Sequence, residues 1–371
     1  MKVKFFSLLL MLGIFFITGC GNNNPQTPTN IADNVNQHIL IALKMAENNN
    51  IQDAKNSINR ALKLDPKNSM AWSTKALIEK NPQLLQKSKN FENSDLDRFF
   101  YYISAIRLSN REKDIKSYYN LAYNINTSEL IIPYYHDKSS LDFFTGKRFF
   151  ELAKYKEAKK YFANVFNQKN GSKFAQKAHE WWKKTDRIVR ALKLAKWSLN
   201  AKKIVAKDRV SRVDAAVVLV DDLHLEKLLK GAFNPYINKP IKLPEDIKNH
   251  PNLYELKIIY RYNLRGLNSI IKNGKIVFAP NDPITREEFA MVLEDIVSKY
   301  KHDPKYKTKY FGSKSPFVDV KASSASFNAI MNAVSMGFMN ANTYGEFHPK
   351  KPLSGVELIE AISKIKEELS L

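Results

Sequence analysis

Residues 278–296 read FAPNDPITREEFAMVLEDI, and residues 347–365 read FHPKKPLSGVELIEAISKI. The two stretches, 69 positions apart, share Phe-x-Pro, a second proline three residues on, a hydroxyl residue (Thr285 or Ser354) and a glutamate three residues later (Glu288 or Glu357). A fainter copy, DRVSRVDAAVVLVDDL, begins at Asp208. A hydroxyl residue followed at the third position by an acid is the spacing of a capping box, in which side chain and backbone satisfy each other's donors at a helix start. Thr285/Glu288 and Ser354/Glu357 fit it fully, and Ser211/Asp214 approximately. Three helix starts of one type predict a helical repeat domain in the C-terminal half.

Working outward, FVDV (residues 317–320) precedes Phe327, Ile330, Val334 and MGF (336–338) at helical spacing. Before the second copy stand Asp246-Ile247, Tyr254, Ile258 and NLRG (263–266). The order of parts is an acidic loop, a helix, a loop with Phe-x-Pro, and a capped helix. This resembles the S-layer homology domain, whose three motifs form a helical pseudo-trimer. ITREE (284–288) is a near-complete match to the family signature, VSRVD (210–214) is looser, and LSGVE (353–357) lacks the arginine. The first motif has no acidic start. The resemblance spans roughly residues 196–371, and it implies binding of an acidic wall polymer, peptidoglycan or a pyruvylated glycan, in grooves between motifs.

On that resemblance the candidate glycan-binding residues are Arg286, Arg212, Thr285 and Asp319. The chemistry is that of a helix N-terminus, where free backbone N–H groups and the positive dipole end favour a carboxylate. An arginine fork on that first turn adds bidentate, charge-assisted bonds. The bland reading is a solvated first-turn arginine. Standing outside the cap, Arg286 is expected to matter for binding and not for stability. Gly355 holds the arginine's place in the third copy, so that groove is expected to be weak or silent.

The N-terminal half has a different rhythm. Ile39, Leu40, Leu43 and Met45 lead to a polar ENNN turn, and Ala54, Ile58, Ala61 and Leu62 lead into KLDPKN, which predicts a helical hairpin. Ala42, Ala54, Ile58, Ala61 and Pro66, with Trp72 and Ala76 heading the next unit, resemble the tetratricopeptide repeat of about 34 residues. GKRFFELAKYKEAKKYFANVF, with Gly146, Phe149, Ala158 and Phe162, is a second such unit, and 99–125 a degenerate one. Such hairpins stack to bury their faces, and the resemblance implies a concave surface that binds partner proteins. The expected fold class is therefore all-α, with a hairpin array over 34–195 and a three-motif domain over 196–371.

The one cysteine, Cys20, follows a basic start (Lys2, Lys4), a run from Phe5 to Ile17 that is almost all apolar, and Thr18-Gly19. This is the layout of a secretory signal, with too few apolar residues for the roughly 20 a spanning helix needs. Ile17-Thr18-Gly19-Cys20 resembles the lipobox of bacterial lipoproteins, which implies a signal over 1–19, cleavage before Cys20 and acylation there. Each buried CH₂ of the acyl chains adds about 0.8 kcal/mol of anchoring. Residues 20–33 then form a disordered tether, with no core-forming residue from 21 to 30. Gly21, where enterobacterial rules use an acid for inner-membrane retention, favours a periplasm-facing outer-membrane site, with the inner membrane or cell surface as alternatives.

Fifty-nine Lys and Arg against 37 Asp and Glu give a net charge of +22, or +20 without Lys2 and Lys4. A field of this sign favours anionic partners. For an exported chain these are wall glycans and lipid headgroups rather than nucleic acid; a genome rich in A and T is the compositional alternative. The seven histidines lack metal-ligand spacing, and no phosphate loop or nucleophile elbow occurs. HEWWKK (179–184) reads as a helix face. No cofactor or metal is expected, and no enzymatic role. The leading function is a lipid-anchored tether between membrane and wall whose first half recruits envelope proteins. The alternatives are a repeat scaffold that assembles envelope complexes without binding glycan, and a wall-degrading enzyme suggested by location alone. Replacing the acylated thiol, Cys20→Ala, should move the protein from the membrane to the soluble fraction on cell fractionation.

Overall fold

The computed structural model describes residues 33–127, 134–167, 172–232 and 240–370. The expected signal segment, Cys20 and all of the tether except Asp33 lie outside the described residues.

The N-terminal half is built from helices in sequential pairs. α1 (Val35–Glu47) pairs with α2 (Ile51–Leu64), α3 (Ser69–Glu79) with α4 (Leu84–Asn90), and α5 (Asp95–Leu108) with α6 (Glu112–Tyr123). α7 (Ser139–Glu151) pairs with α8 (Tyr155–Phe166), which also packs on α9 (Ala175–Leu192). The asparagine-rich composition is used at helix starts: Asn34, Asn50 and Asn68 accept the N–H of Gln37, Asp53 and Ala71 at 2.8, 3.4 and 3.0 Å. Ala42, Ala54, Ile58 and Ala61 are fully buried, so α1 and α2 approach closely along their small residues. Phe149, Ala158 and Phe162 are likewise buried, and an added Cβ at Gly146 would lie 2.8 Å from the Phe162 ring.

The C-terminal half contains α10 (Leu199–Ile204), α11 (Arg212–Asp221), the short α12 (Leu225–Leu228), α13 (Leu253–Tyr262), α14 (Arg286–Tyr300), α15 (Phe327–Ser335) and α16 (Gly355–Glu368). The all-α expectation misses one element, an antiparallel hairpin of β1 (Ile270–Lys272) and β2 (Lys275–Val277), which pairs Ile271 with Ile276. Asn273 and Gly274 form its turn at φ of 51° and 72°, the left-handed backbone that a two-residue hairpin requires. The three capped helices are α11, α14 and α16. α11 packs on α13 and α14 packs on α15, each on the first helix of the following motif, whereas α16 packs on α9 of the N-terminal half.

Packing changes side within α9 rather than after it. Ala178 belongs to the core that begins at Ile39, while Ile188, Val189 and Ala191 join the core that continues to Leu369. Tyr155 also joins this second core and donates to the Lys202 carbonyl at 2.6 Å.

The three capped helices begin around one point. Val210 N–H donates to the Leu353 carbonyl (2.8 Å), Leu353 N–H to the Ile284 carbonyl (2.9 Å), and Ile284 N–H to the Val210 carbonyl (3.0 Å). Each of these fully buried residues gives one bond and takes one, so the ring closes on itself. The capping boxes at Ser211, Thr285 and Ser354 all form. At Gly355 the ring allows no side chain, because an added Cβ would lie 2.1 Å from the Ile204 carbonyl oxygen. Overpacking of this kind costs about 1–3 kcal/mol, so Gly355→Ala should lower the urea midpoint clearly. Gly231→Ala, with nothing within 4 Å of the added carbon, should leave it nearly unchanged.

Candidate functional site

The junctions between motifs are where the expected site residues sit. At the start of α14, Arg286 N–H donates to the Lys351 carbonyl and Glu287 N–H to the Pro349 carbonyl, both at 3.0 Å, and Glu288 N–H donates to Thr285 Oγ1 at 3.3 Å. The start of α11 repeats the pattern, with Arg212 N–H on the Asp282 carbonyl (2.9 Å) and Val213 N–H on the Pro280 carbonyl (3.0 Å). The free N–H groups expected at these helix starts are therefore occupied by the carbonyls of the next motif's Phe-x-Pro loop. Thr285 is equally engaged, since its hydroxyl closes the cap by donating to Glu288 Oε2 at 2.8 Å.

Arg286 corrects the sequence reading further. It is 6% exposed, and its fork points inward rather than toward solvent. Nε donates to the Phe347 carbonyl (2.8 Å), Nη2 to the Asn340 carbonyl (2.7 Å), and Nη1 pairs with Glu357, while the guanidinium lies 4.5 Å from the Phe347 ring centre. Arg212, 2% exposed, does the same one motif earlier. Its Nε donates to the Phe278 carbonyl (2.8 Å), its Nη2 to the Asn268 carbonyl (2.6 Å), and its Nη1 faces Glu288 at 3.5 Å. Burial pushes the Arg212 guanidinium below its ordinary pKa, with Glu288 opposing that shift. Each arginine thus staples its own helix to the loop and capping glutamate of the following motif. A guanidinium suits this role because it is planar, always charged and carries five donors.

The third junction uses a different cation. Gly355 has no side chain to reach Asp214, the capping acid of the first motif, and Lys207 Nζ takes that place with two contacts of 2.8 Å. Gly355 N–H donates to the Lys207 carbonyl at 2.8 Å, so backbone from the first motif fills the space that an arginine takes elsewhere.

Asp319 and Asp246 are counterparts. Asp319 accepts the N–H of Phe347 (2.9 Å) and His348 (2.7 Å), and Asp246 accepts those of Phe278 (3.1 Å) and Ala279 (2.7 Å). These bonds hold His348 and Ala279, the middle residues of the two Phe-x-Pro loops, in left-handed backbone at φ of 56° and 55°. Burial pushes the Asp319 carboxyl up, but the two N–H groups and His348 outweigh it and hold its pKa below the ordinary value. Sequence reasoning placed Asp246 in the acidic loop of its motif but left it out of the candidate site residues, where Asp319 stood alone. The signal was available, since each precedes a Phe-x-Pro by nearly the same distance.

Tyr344 and His348 are among the residues presented to solvent beside the second junction. Tyr344 is 82% exposed, and its N–H donates to Asn342 Oδ1, which also accepts from Glu346 N–H. His348 lies 3.4 Å from Asn342 Nδ2. An exposed tyrosine on a polar loop is suited to an amphipathic partner. Among the described residues, no group of three or more His, Cys, Asp or Glu side chains is placed to hold a metal ion, and no helix is long and apolar enough to cross a membrane.

Removing a buried arginine leaves its carboxylate uncompensated, which costs about 3–5 kcal/mol. Because the Glu357 side chain keeps 26% exposure, Arg286→Ala should lose about 3 kcal/mol of stability by urea titration, and Arg286→Lys should recover only part of it. Since the folded pKa of Asp319 is depressed, its contribution is present above the ordinary value of 3.8 and lost as pH falls through the lowered one. The difference in urea midpoint between the parent and Asp319→Asn should accordingly narrow from pH 7 to pH 3.

The chain matches the family model of the S-layer homology domain over residues 245–290 and 316–358. No curated protein matches it. The first segment runs from the 3₁₀ turn at Glu245–Ile247 into the first turns of α14, and the second from Pro316 into the start of α16. Both stapled Phe-x-Pro loops, with Asp246 and Asp319, fall inside the matched segments. The S-layer homology domain is generally a cell-wall polymer-binding module, and its presence here supports attachment to the cell envelope.

Proposed function

We propose that this protein is a lipid-anchored envelope protein whose C-terminal domain binds an anionic wall polymer, peptidoglycan or a pyruvylated glycan, and so ties a membrane to the wall. Acylation at Cys20 supplies the anchor, with an outer-membrane, periplasm-facing site favoured by Gly21. The paired helices of the N-terminal half act as a tetratricopeptide-like recruiter of envelope proteins. The observation that carries the reading is the coincidence of the two S-layer homology segments with the stapled loops around the ring. The net charge of +22 adds long-range attraction for an acidic polymer.

In this reading Arg286 and Arg212 build the junctions and do not touch the glycan; recognition falls to the exposed loop at Tyr344 and His348. The full chain should co-sediment with purified native wall at 0.15 M salt, saturably. Tyr344→Ala should weaken that binding several-fold with an unchanged melt. Equal binding by parent and Tyr344→Ala, with both abolished by moderate salt, would make net charge the better account and leave the recruiting scaffold as the function.

A further inference from the structure

A deep cavity lies in the N-terminal half, outside the C-terminal domain. It is a groove of about 990 Å³ that crosses α1, α2, α3, α5 and α7. That volume is at the upper end of the range for ligand sites. Its floor is apolar, with Leu43, Ile78 and Phe144 buried, and the amides of Asn49 and Asn110 stand at its rim.

Its charge is unbalanced. Of the two lining glutamates, Glu79 is paired with Lys75 (3.4 Å) and Glu151 with Arg148 (2.7 Å). Arg107, also lining, is paired with Glu47 at 3.3 Å and lies 4.3 Å over the Phe144 ring. Lys55, Lys80 and Lys147 line the same groove with no acidic partner within 4.0 Å among the described residues. Lys147 is the informative one. Its ammonium lies 5.8–5.9 Å from the ring centres of Phe143, Phe144 and Trp181, and burial pushes its pKa down. Glu47 and Glu151 favour its charge and Arg107 and Lys177 oppose it, all from beyond ion-pair distance; a partly desolvated cation so placed gains more from a carboxylate in direct contact than a lysine in water does.

We infer that this groove takes an acidic segment of a partner protein, with a carboxylate of the segment at Lys147 and its apolar side chains on the floor. The inference rests on the reading that this half recruits proteins, and it names the partner's chemistry. A polypeptide fits better than an anionic polysaccharide. The floor, with Leu43 and Ile78 beside Phe144, suits apolar side chains, and the rim amides match backbone N–H and carbonyl groups.

The test uses the full chain in detergent with three fluorescein-labelled decapeptides, in which leucine alternates with glutamate, glutamine or lysine, at 0.15 M salt. The glutamate peptide should bind saturably and at least tenfold more tightly than the other two. Lys147→Met, which keeps the apolar stem, should weaken it about tenfold without moving the melt, and Lys147→Arg should retain most of the affinity. Equal binding of the glutamate peptide by parent and Lys147→Met overturns the inference. If the glutamine peptide binds as tightly as the glutamate peptide and competes with it, the inference fails while the recruiting role stands. If none of the three binds, both fall. Lys147-dependent binding of polygalacturonate in preference to the glutamate peptide would assign the groove to a wall polymer instead.

Discussion

The C-terminal domain depends on three backbone hydrogen bonds that run in a circle. Val210, Ile284 and Leu353 each donate to one neighbour and accept from the other, all out of contact with water. An unpaired buried N–H or carbonyl costs about 1–3 kcal/mol, so no member of the ring can leave without stranding two partners. The helix starts inherit their positions from this circle. Once Ile284 and Leu353 are fixed, the carbonyls of Lys351 and Pro349 reach the first two N–H groups of α14, and the capping hydroxyl of Thr285 takes the third. The arginines come next in the same hierarchy, carrying the link from one motif's helix to the next motif's loop.

The circle is threefold in its backbone and not in its side chains. Two junctions are closed by Arg212 and Arg286 reaching forward to Glu288 and Glu357. The third is closed by Lys207 reaching Asp214 from within its own motif, with Gly355 yielding its side-chain space to the Ile204 carbonyl. Here the domain also meets the N-terminal half, since α16 packs on α9. Lys184 of α9 reaches Asp208 at 2.8 Å, beside the same short loop. The junction that lacks an arginine is thus the one that meets the helical array.

Much of this was legible in the chain. The spacing of Ser211, Thr285 and Ser354 from their acids placed three helix starts correctly, because a capping box is a local device whose partners lie within four residues. The direction of an arginine is not local. Whether Arg286 faces solvent or the interior is decided by Phe347, Asn340 and Glu357, more than 50 residues away, and nothing in ITREE carries that information. For the same reason the reasoning about free N–H groups failed: it was sound for an isolated helix and wrong for one whose first turn abuts a neighbouring loop. The β-hairpin was overlooked although Asn273-Gly274 between Ile270-Ile271 and Ile276-Val277 is a strong short-range signal. In the N-terminal half, the small residues that predicted close helix contact are buried as expected. The unpaired charge of Lys147 became visible only when five helices were seen to share one groove.

A circle of this kind has a consequence for the order of events. A chain made from its N-terminus presents Val210 and Ile284 well before residue 353 exists, and until then each holds a donor or acceptor that water must satisfy. The motifs can form helices early, since those bonds are local and fast, but the domain becomes a single cooperative body only when its last motif arrives. The final bond spans almost the whole domain, so its closure carries the slow, entropic part of folding.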